Sequence, residues 1–268
     1  MSKPALSFSE FKRLVKGSRG FRLLTVGNPK TAKGEGHGYF TFILHLSPAR
    51  LSGFEVCAGR TKGCTLACLN TAGRGGIMAG QGILTHADVA NGVQNTIQRA
   101  RINRTRLFFT DRAAFMALLV KEIGKAIRLA RKNDLVPVFR LNGTSDIRWE
   151  SIAIDGAASI MSLFPDVQFY DYTKLPNRKN VPANYALTFS LADGNEVWAR
   201  MALNNGMNVA AVFRDESRVA RAISEGFLGR PVFNGDMSDL RFLDPKGHVI
   251  ALYAKGNAKG DQSGFVRD

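Results

Sequence analysis

VPVFRLNGTSD, Val136–Asp146, decides the fold: a strand of β-branched and aromatic residues (Val136–Leu141) that stops in a dense polar turn. The same figure recurs on both sides of it. VQFYDY (Val167–Tyr172), YALTFS (Tyr185–Ser190), MNVAAVF (Met207–Phe213), Pro231–Phe233 and His248–Ala254 read as further strands, and YFTFILHL (Tyr39–Leu46) as the first. Helical spacing fills the gaps between them. Trp149–Leu163, Glu196–Asn204 and Arg218–Glu225 read as helices, as does Thr85–Arg106. Asp111 is a good N-cap for one more helix, whose Phe115, Leu118, Leu119, Ile123, Ile127 and Ala130 trace one apolar stripe. Strand alternating with helix predicts an α/β fold with a mostly parallel sheet. Six or more repeats predict a complete or partial (β/α) barrel, with an open sheet as the alternative. Residues 39–268 read as a single barrel-like domain. Residues 1–38 read as a basic N-terminal extension, with a short helix marked by Phe8, Phe11, Leu14 and Val15 and a Gly/Pro/Lys loop at Gly27–Gly38.

In a parallel α/β domain the strand ends gather on one face, where ligands bind. That face would collect Asn142-Gly143-Thr144-Ser145-Asp146, then Asp171, Tyr172, Thr173 and Lys174, then Ser190, Arg214, Asp215, Asn234-Gly235-Asp236 and Lys255. Asp215 also reads as a helix N-cap, and Asn-Gly-Asp is a natural turn. Asp146 sits in the densest polar run. Asp171 interrupts an aromatic strand, where a carboxylate costs free energy unless it is paired. Asp146, Asp171 and Lys174 are therefore the candidate catalytic groups.

The cysteines lie in VCAGRTKGCTLACLNTAGRGG (Val56–Gly76), after the first strand. Cys57, Cys64 and Cys68 are the only three in 268 residues, and they fall within twelve positions. Core cysteines would not cluster in this way, and basic neighbours ease ionisation to the metal-binding thiolate. One metal centre is expected. Three thiolates with a histidine would make a tetrahedral zinc site, with His37, His45, His86 or His248 as the fourth ligand; His86 is nearest in sequence. Three thiolates alone would hold a four-iron cluster with one iron open, which binds and reduces S-adenosylmethionine. Gaps of six and then three residues lack the two close pairs of a zinc ribbon.

Lys and Arg outnumber Asp and Glu by 37 to 22, a formal charge of +15 at pH 7 that favours a polyanion as partner, nucleic acid above all. Arg99, Arg101, Arg104 and Arg106 form a basic comb with no acidic residue among them, a candidate phosphate-facing surface or else a solvated helix face. The N-terminal stretch has no apolar core of a signal peptide and no apolar run reaches membrane-spanning length, so a reducing, cytoplasmic setting without membrane contact is expected. P-loop, HExxH and GxSxG signatures are absent.

CAGRTKGCTLACLNTAGRG, RTRLFFTDR, RLNGTSDIRWE, FPDVQFYDYTK and the late LRFLDP…AKG…SGFV together resemble the phage gene product 88 family, from about Leu46 to the C-terminus. Such a protein would work in the host cytoplasm. The cysteine layout by itself resembles that of radical S-adenosylmethionine-like phage proteins, although the usual motif of that chemistry has gaps of three and two. This second resemblance implies cluster ligation by Cys57, Cys64 and Cys68. It also implies cofactor contact by Gly73, Gly75 and Gly76 or by Asn142, Thr144 and Ser145. The expected function is thus a metal-dependent enzyme that modifies bases in nucleic acid. Two alternatives stand beside it. One is a zinc-containing enzyme resembling the base transglycosylases, with an aspartate nucleophile. The other is a nucleic-acid-binding protein in which the metal only staples the loop.

Overall fold

The computed structural model describes residues 22–26, 36–78, 82–154 and 156–268. The alternation predicted from sequence folds into a mixed sheet in which β2 (Tyr39–Leu44), β5 (Val136–Arg140), β6 (Gln168–Thr173), β7 (Tyr185–Ser190), β8 (Val209–Phe213), β9 (Val232–Asn234) and β10 (Val249–Tyr253) run parallel. The path across it is β1-β2-β5-β6-β7-β8-β10-β9, with β1 (Leu24–Thr25) antiparallel on the edge of β2. A separate ribbon pairs β3 (Ile77–Met78) with β4 (Gly82–Ile83).

The sheet does not close into a barrel, and the predicted barrel is corrected to an open, mostly parallel sheet. Closure would require the first parallel strand to pair with the last. Instead β1 occupies the outer edge of β2, and β10 enters between β8 and β9, leaving β9 at the opposite edge. The extension predicted for residues 1–38 therefore contributes a strand. Thr25 pairs with Ile43, and the Leu23 and Leu24 amides donate to the Glu122 carboxylate. The predicted helix around Phe8–Val15 lies outside the described residues, as does most of the Gly27–Gly38 loop.

A second departure from a barrel shapes the site. β7 and β8 pair at Phe189↔Val209 and Ser190↔Ala210, and beyond those residues they part. The C-terminal β11 (Val266–Arg267) takes the freed edge of β8, at Val212 and Phe213. The glycine-rich tail is thereby drawn into the sheet at the strand ends.

The helices are α1 (Lys62–Leu66), α2 (His86–Ala90), α3 (Thr96–Thr110), α4 (Arg112–Lys132), α5 (Ile160–Leu163), α6 (Glu196–Asn204) and α7 (Glu216–Glu225). Asp111 caps α4 as predicted, accepting from the Ala114 amide at 2.9 Å. Phe115, Leu119, Ile123 and Ala130 on that helix bury against Phe42, Leu44, Phe139 and Phe169 of the sheet. Each of the larger of these side chains contributes roughly 1.5–3 kcal/mol of transfer free energy. Trp149 completes this cluster, 5.2 Å from the Phe108 ring. α6 and α7 cover the other half of the same face with Ala199, Leu203, Val219 and Ala222. Part of the opposite face is covered by a turn of 3-10 helix, Arg241–Leu243, where Leu240 and Phe242 pack on Val138 and Tyr170, and another part by the cysteine segment and the tail, through Ala67, Ala258 and Val266.

Two predicted helices are interrupted. Thr85–Arg106 breaks into α2 and α3 because Gly92 adopts φ +91° and Asn95 caps a new helix, accepting from the Gln98 amide at 2.9 Å. Trp149–Leu163 is a 3-10 turn at Trp149–Ser151, a bridge between Ile154 and Ala157, and then α5. Gly156 at φ +76° and the Ser159 N-cap end any continuous helix there. Among the described residues no helix is long and apolar enough to cross a membrane.

Candidate active-site cavity

A half-open cavity of about 230 Å³ sits at the C-terminal ends of the parallel strands. Its floor is apolar: Ala210 and Val212 from β8, and Leu252 from β10. One wall is Arg140, the Asn142–Asp146 turn and Tyr172–Lys174. The other is the cysteine segment, which presents Cys57, Arg60, Cys64 and Cys68. Phe265 and Ala258 of the tail and Asp239 close the remaining side. All three cysteines of the chain thus face one space, opposite Asp146 and Lys174.

The cysteine segment is held from several directions. Glu55 accepts from the Cys57 amide at 2.8 Å and from Arg60 at 3.2 Å. The Cys57 thiol lies 3.8 Å from the Thr144 carbonyl. Thr61 caps α1, accepting from the Cys64 amide at 3.1 Å. Asp193, just past β7, accepts from the Thr61 hydroxyl and, at 3.0 Å, from the Gly63 amide. Gly63 permits this approach, since a Cβ there would collide with Asp193 and Ser263. Asp193 is therefore the residue that fixes Cys64 over the sheet.

Burial pushes the Cys57 thiol up to about 12, with further upward contributions from Cys68, Cys64 and Asp146, and burial raises Cys68 as well. Burial also presses on the Lys174 ammonium. Cys64, Asp146 and Cys57 more than offset it, so its pKa stands above the ordinary value. The Lys174 ammonium donates to Ser190 at 3.0 Å, and its own amide donates to Asp146 at 2.7 Å. Burial raises the Asp146 carboxyl, against the Lys174 amide, Thr173 and Arg178. An acid and an ammonium thus both face the space in front of the thiol wall.

Several predicted residues lie elsewhere. Asn142 lines the cavity but braces its turn, accepting from Ser145, the Ile147 amide and Trp149. Gly73, Gly75 and Gly76 do not line it; a Cβ on Gly75 or Gly76 would strike the Asn70 or Thr71 carbonyl, so those two serve close packing, and Gly73 serves its backbone at φ +56°. The arginine comb is not one outward surface. Arg101 is buried on Asn70 at 2.5 Å, Arg104 is buried on the Arg22 carbonyl at 2.6 Å, and Arg106 reaches the Ser52 carbonyl; Arg99 alone is exposed. None of the four histidines lines the cavity. His45 meets Thr25, and His248 meets the Lys246 carbonyl. Among the described residues, no group of three or more His, Cys, Asp or Glu side chains is drawn together tightly enough for one metal ion.

Asp171 does not line the cavity either. It is fully buried on the helix-covered face, accepting from the Leu141 and Asn142 amides at 3.2 and 2.9 Å and from the Tyr185 hydroxyl at 3.0 Å. Burial pushes its carboxyl up to about 7, against Arg140 and these donors. Its folded pKa is above its unfolded one, so its stabilising contribution is complete below about pH 4 and is lost as pH rises through about 7. Asp171→Asn is therefore expected to destabilise the protein, and the gap to wild type should narrow between pH 5 and pH 8. Urea titrations at both pH values check this, and a gap that widens with pH contradicts it.

Sequence reasoning did not single out Arg140, Asp239 or Asp193. Arg140 was hidden inside a strand; Asp193 and Asp239 occur in turn-like polar runs that resemble any loop. Compared with known proteins, residues 22–268 match a family model described as gene product 88. No curated protein and no solved structure matches the chain.

Proposed function

The chain belongs to the gene product 88 family, and from the make-up of its cavity we propose that it is an iron–sulfur enzyme that modifies a base of nucleic acid with S-adenosylmethionine as cofactor. The observation that carries this reading is the convergence of Cys57, Cys64 and Cys68 on one cavity beside Asp146 and Lys174. The donor set is all sulfur. Three soft thiolates with no histidine in the lining suit an iron–sulfur cluster with one iron left open. When bound, such a cluster supplies an electron and an open iron site to the sulfonium cofactor.

The chain's own residues have separable tasks. Cys57, Cys64 and Cys68 hold the cluster. Lys174 places a proton-bearing ammonium beside them, and Asp146 faces the same space as a proton acceptor. The apolar floor and Phe265 exclude water from the reacting end and offer a flat surface to a base turned out of its stack. The charge of +15 favours a polyanionic substrate.

Anaerobic purification followed by iron, sulfide and zinc analysis tests the reading. The expected protein is brown and carries about four irons per chain. A colourless protein that holds zinc and no iron, after both anaerobic purification and reconstitution with iron and sulfide, overturns it.

A further inference from the structure

Arg140 ends β5 with its side chain on the face opposite α4, directed into the cavity. The residue is 4% exposed. Its guanidinium carbon stands 5.1 Å from the Tyr172 ring centre and 5.6 Å from that of Tyr170. Its Nε is buried and has no hydrogen-bond partner. Asp171 acts on it electrostatically, but the Asp171 oxygens are engaged by the Leu141 and Asn142 amides and by Tyr185 on the other face. Asp239 faces the same cavity and also acts on it only through space. A buried guanidinium with an unmet donor is unfavourable by itself, and its planar fork matches the two oxygens of a carboxylate or phosphate.

Arg140 is one end of an amphipathic space. Val212 and Leu252 form its uncharged floor, and the cysteine wall lies on another side. We infer that Arg140 anchors a subsite for an oxyanion, a phosphate or carboxylate, carried by the molecule that occupies this cavity, while the uncharged body of that molecule lies on Val212 and Leu252. The inference rests on the reading of this cavity as the active site, but it does not require the cluster to be present.

The test is titration of the purified full-length protein with inorganic phosphate, a 5′-mononucleotide and acetate, followed by calorimetry and by the NMR signal of the Arg140 Nε–H. Binding that shifts this signal is expected, and Arg140→Gln should weaken it at least tenfold. Arg140→Lys, which keeps the charge without the fork, should fall between, and Arg131→Gln, on the exposed end of α4, should bind as wild type does. Preference for phosphate and the mononucleotide identifies a phosphate-bearing ligand; preference for acetate identifies a carboxylate. The inference is overturned if no probe moves the Arg140 signal, or if Arg140→Gln binds as tightly as wild type. Because the signal is read in the wild-type protein, an unfolded variant does not rescue the idea. Cys64→Ser separates the two readings: an iron-free variant that still binds the probes upholds this subsite whatever becomes of the cluster.

Discussion

Arg178→Ala is expected to lower the free energy of unfolding by about 3–5 kcal/mol, the range for leaving one member of a buried ion pair alone. Arg178 and Glu150 meet through two hydrogen bonds of 2.6 Å, and both side chains are 1% exposed. The third nitrogen of the fork reaches Thr173 at 3.0 Å and Asp146 at 3.4 Å. Truncation strands the Glu150 carboxylate in the 3-10 turn that carries Trp149, and Trp149 is a centre of the main aromatic cluster. It also removes a partner of Asp146, so the cavity loses the group that orients one of its acids. Glu150→Gln keeps an acceptor for the guanidinium and should cost less. Replacing both residues, Arg178→Met with Glu150→Leu, removes both charges and should recover much of the loss. Urea unfolding with an unchanged m-value measures all three. Equal stabilities for Arg178→Ala and the double variant would mean that the stranded carboxylate is not the cause.

The strands that carry the cavity were legible because each is a run of five or six apolar and aromatic residues closed by polar ones, and burial on both faces demands such runs. Closure of the sheet was not legible. It depends on which strands take the edges, and those are Leu24–Thr25 beside β2 and the three-residue β9 beside β10, segments too short to show any period. The argument that Asp171 must be paired holds, but its partners are two backbone amides and a tyrosine rather than a ligand. Sequence gives the cost of a buried carboxylate and does not give the identity of its partner. The arginine comb fails for a related reason. A helix face with four arginines and no acidic residue reads as a phosphate-facing or solvated surface, yet Arg101 and Arg104 are buried and meet loop carbonyls that only the tertiary fold supplies. The cysteine cluster was legible because three rare residues in twelve positions are improbable as packing. Its anchor, Asp193, lies 125 residues downstream of Cys68 and shows itself only in the folded chain.

Cys64→Ser is expected to remove essentially all bound iron while leaving the fold intact, and Asp193→Ala to lower iron occupancy severalfold without touching a ligand. The two effects have different origins. Serine at position 64 keeps the volume and the Thr61 cap of α1 but replaces a soft thiolate with a hydroxyl that stays protonated. Asp193→Ala leaves every thiol in place and releases the segment that presents them. α1 has only five residues, too few to be stable alone. The Thr61 hydroxyl and the Gly63 amide hold it to Asp193, and without that carboxylate the helix end can leave the sheet. The loss of two hydrogen bonds to a charged acceptor is about 3 kcal/mol or more in local terms, enough to unfasten the segment and less than global unfolding requires. Asp193→Asn retains one acceptor and should hold an intermediate amount of iron. Iron per chain, the visible absorbance and a thermal melt distinguish the cases. Undiminished iron in Cys64→Ser would exclude that thiol as a ligand, and wild-type iron in Asp193→Ala would show that the cysteine wall is held without its anchor.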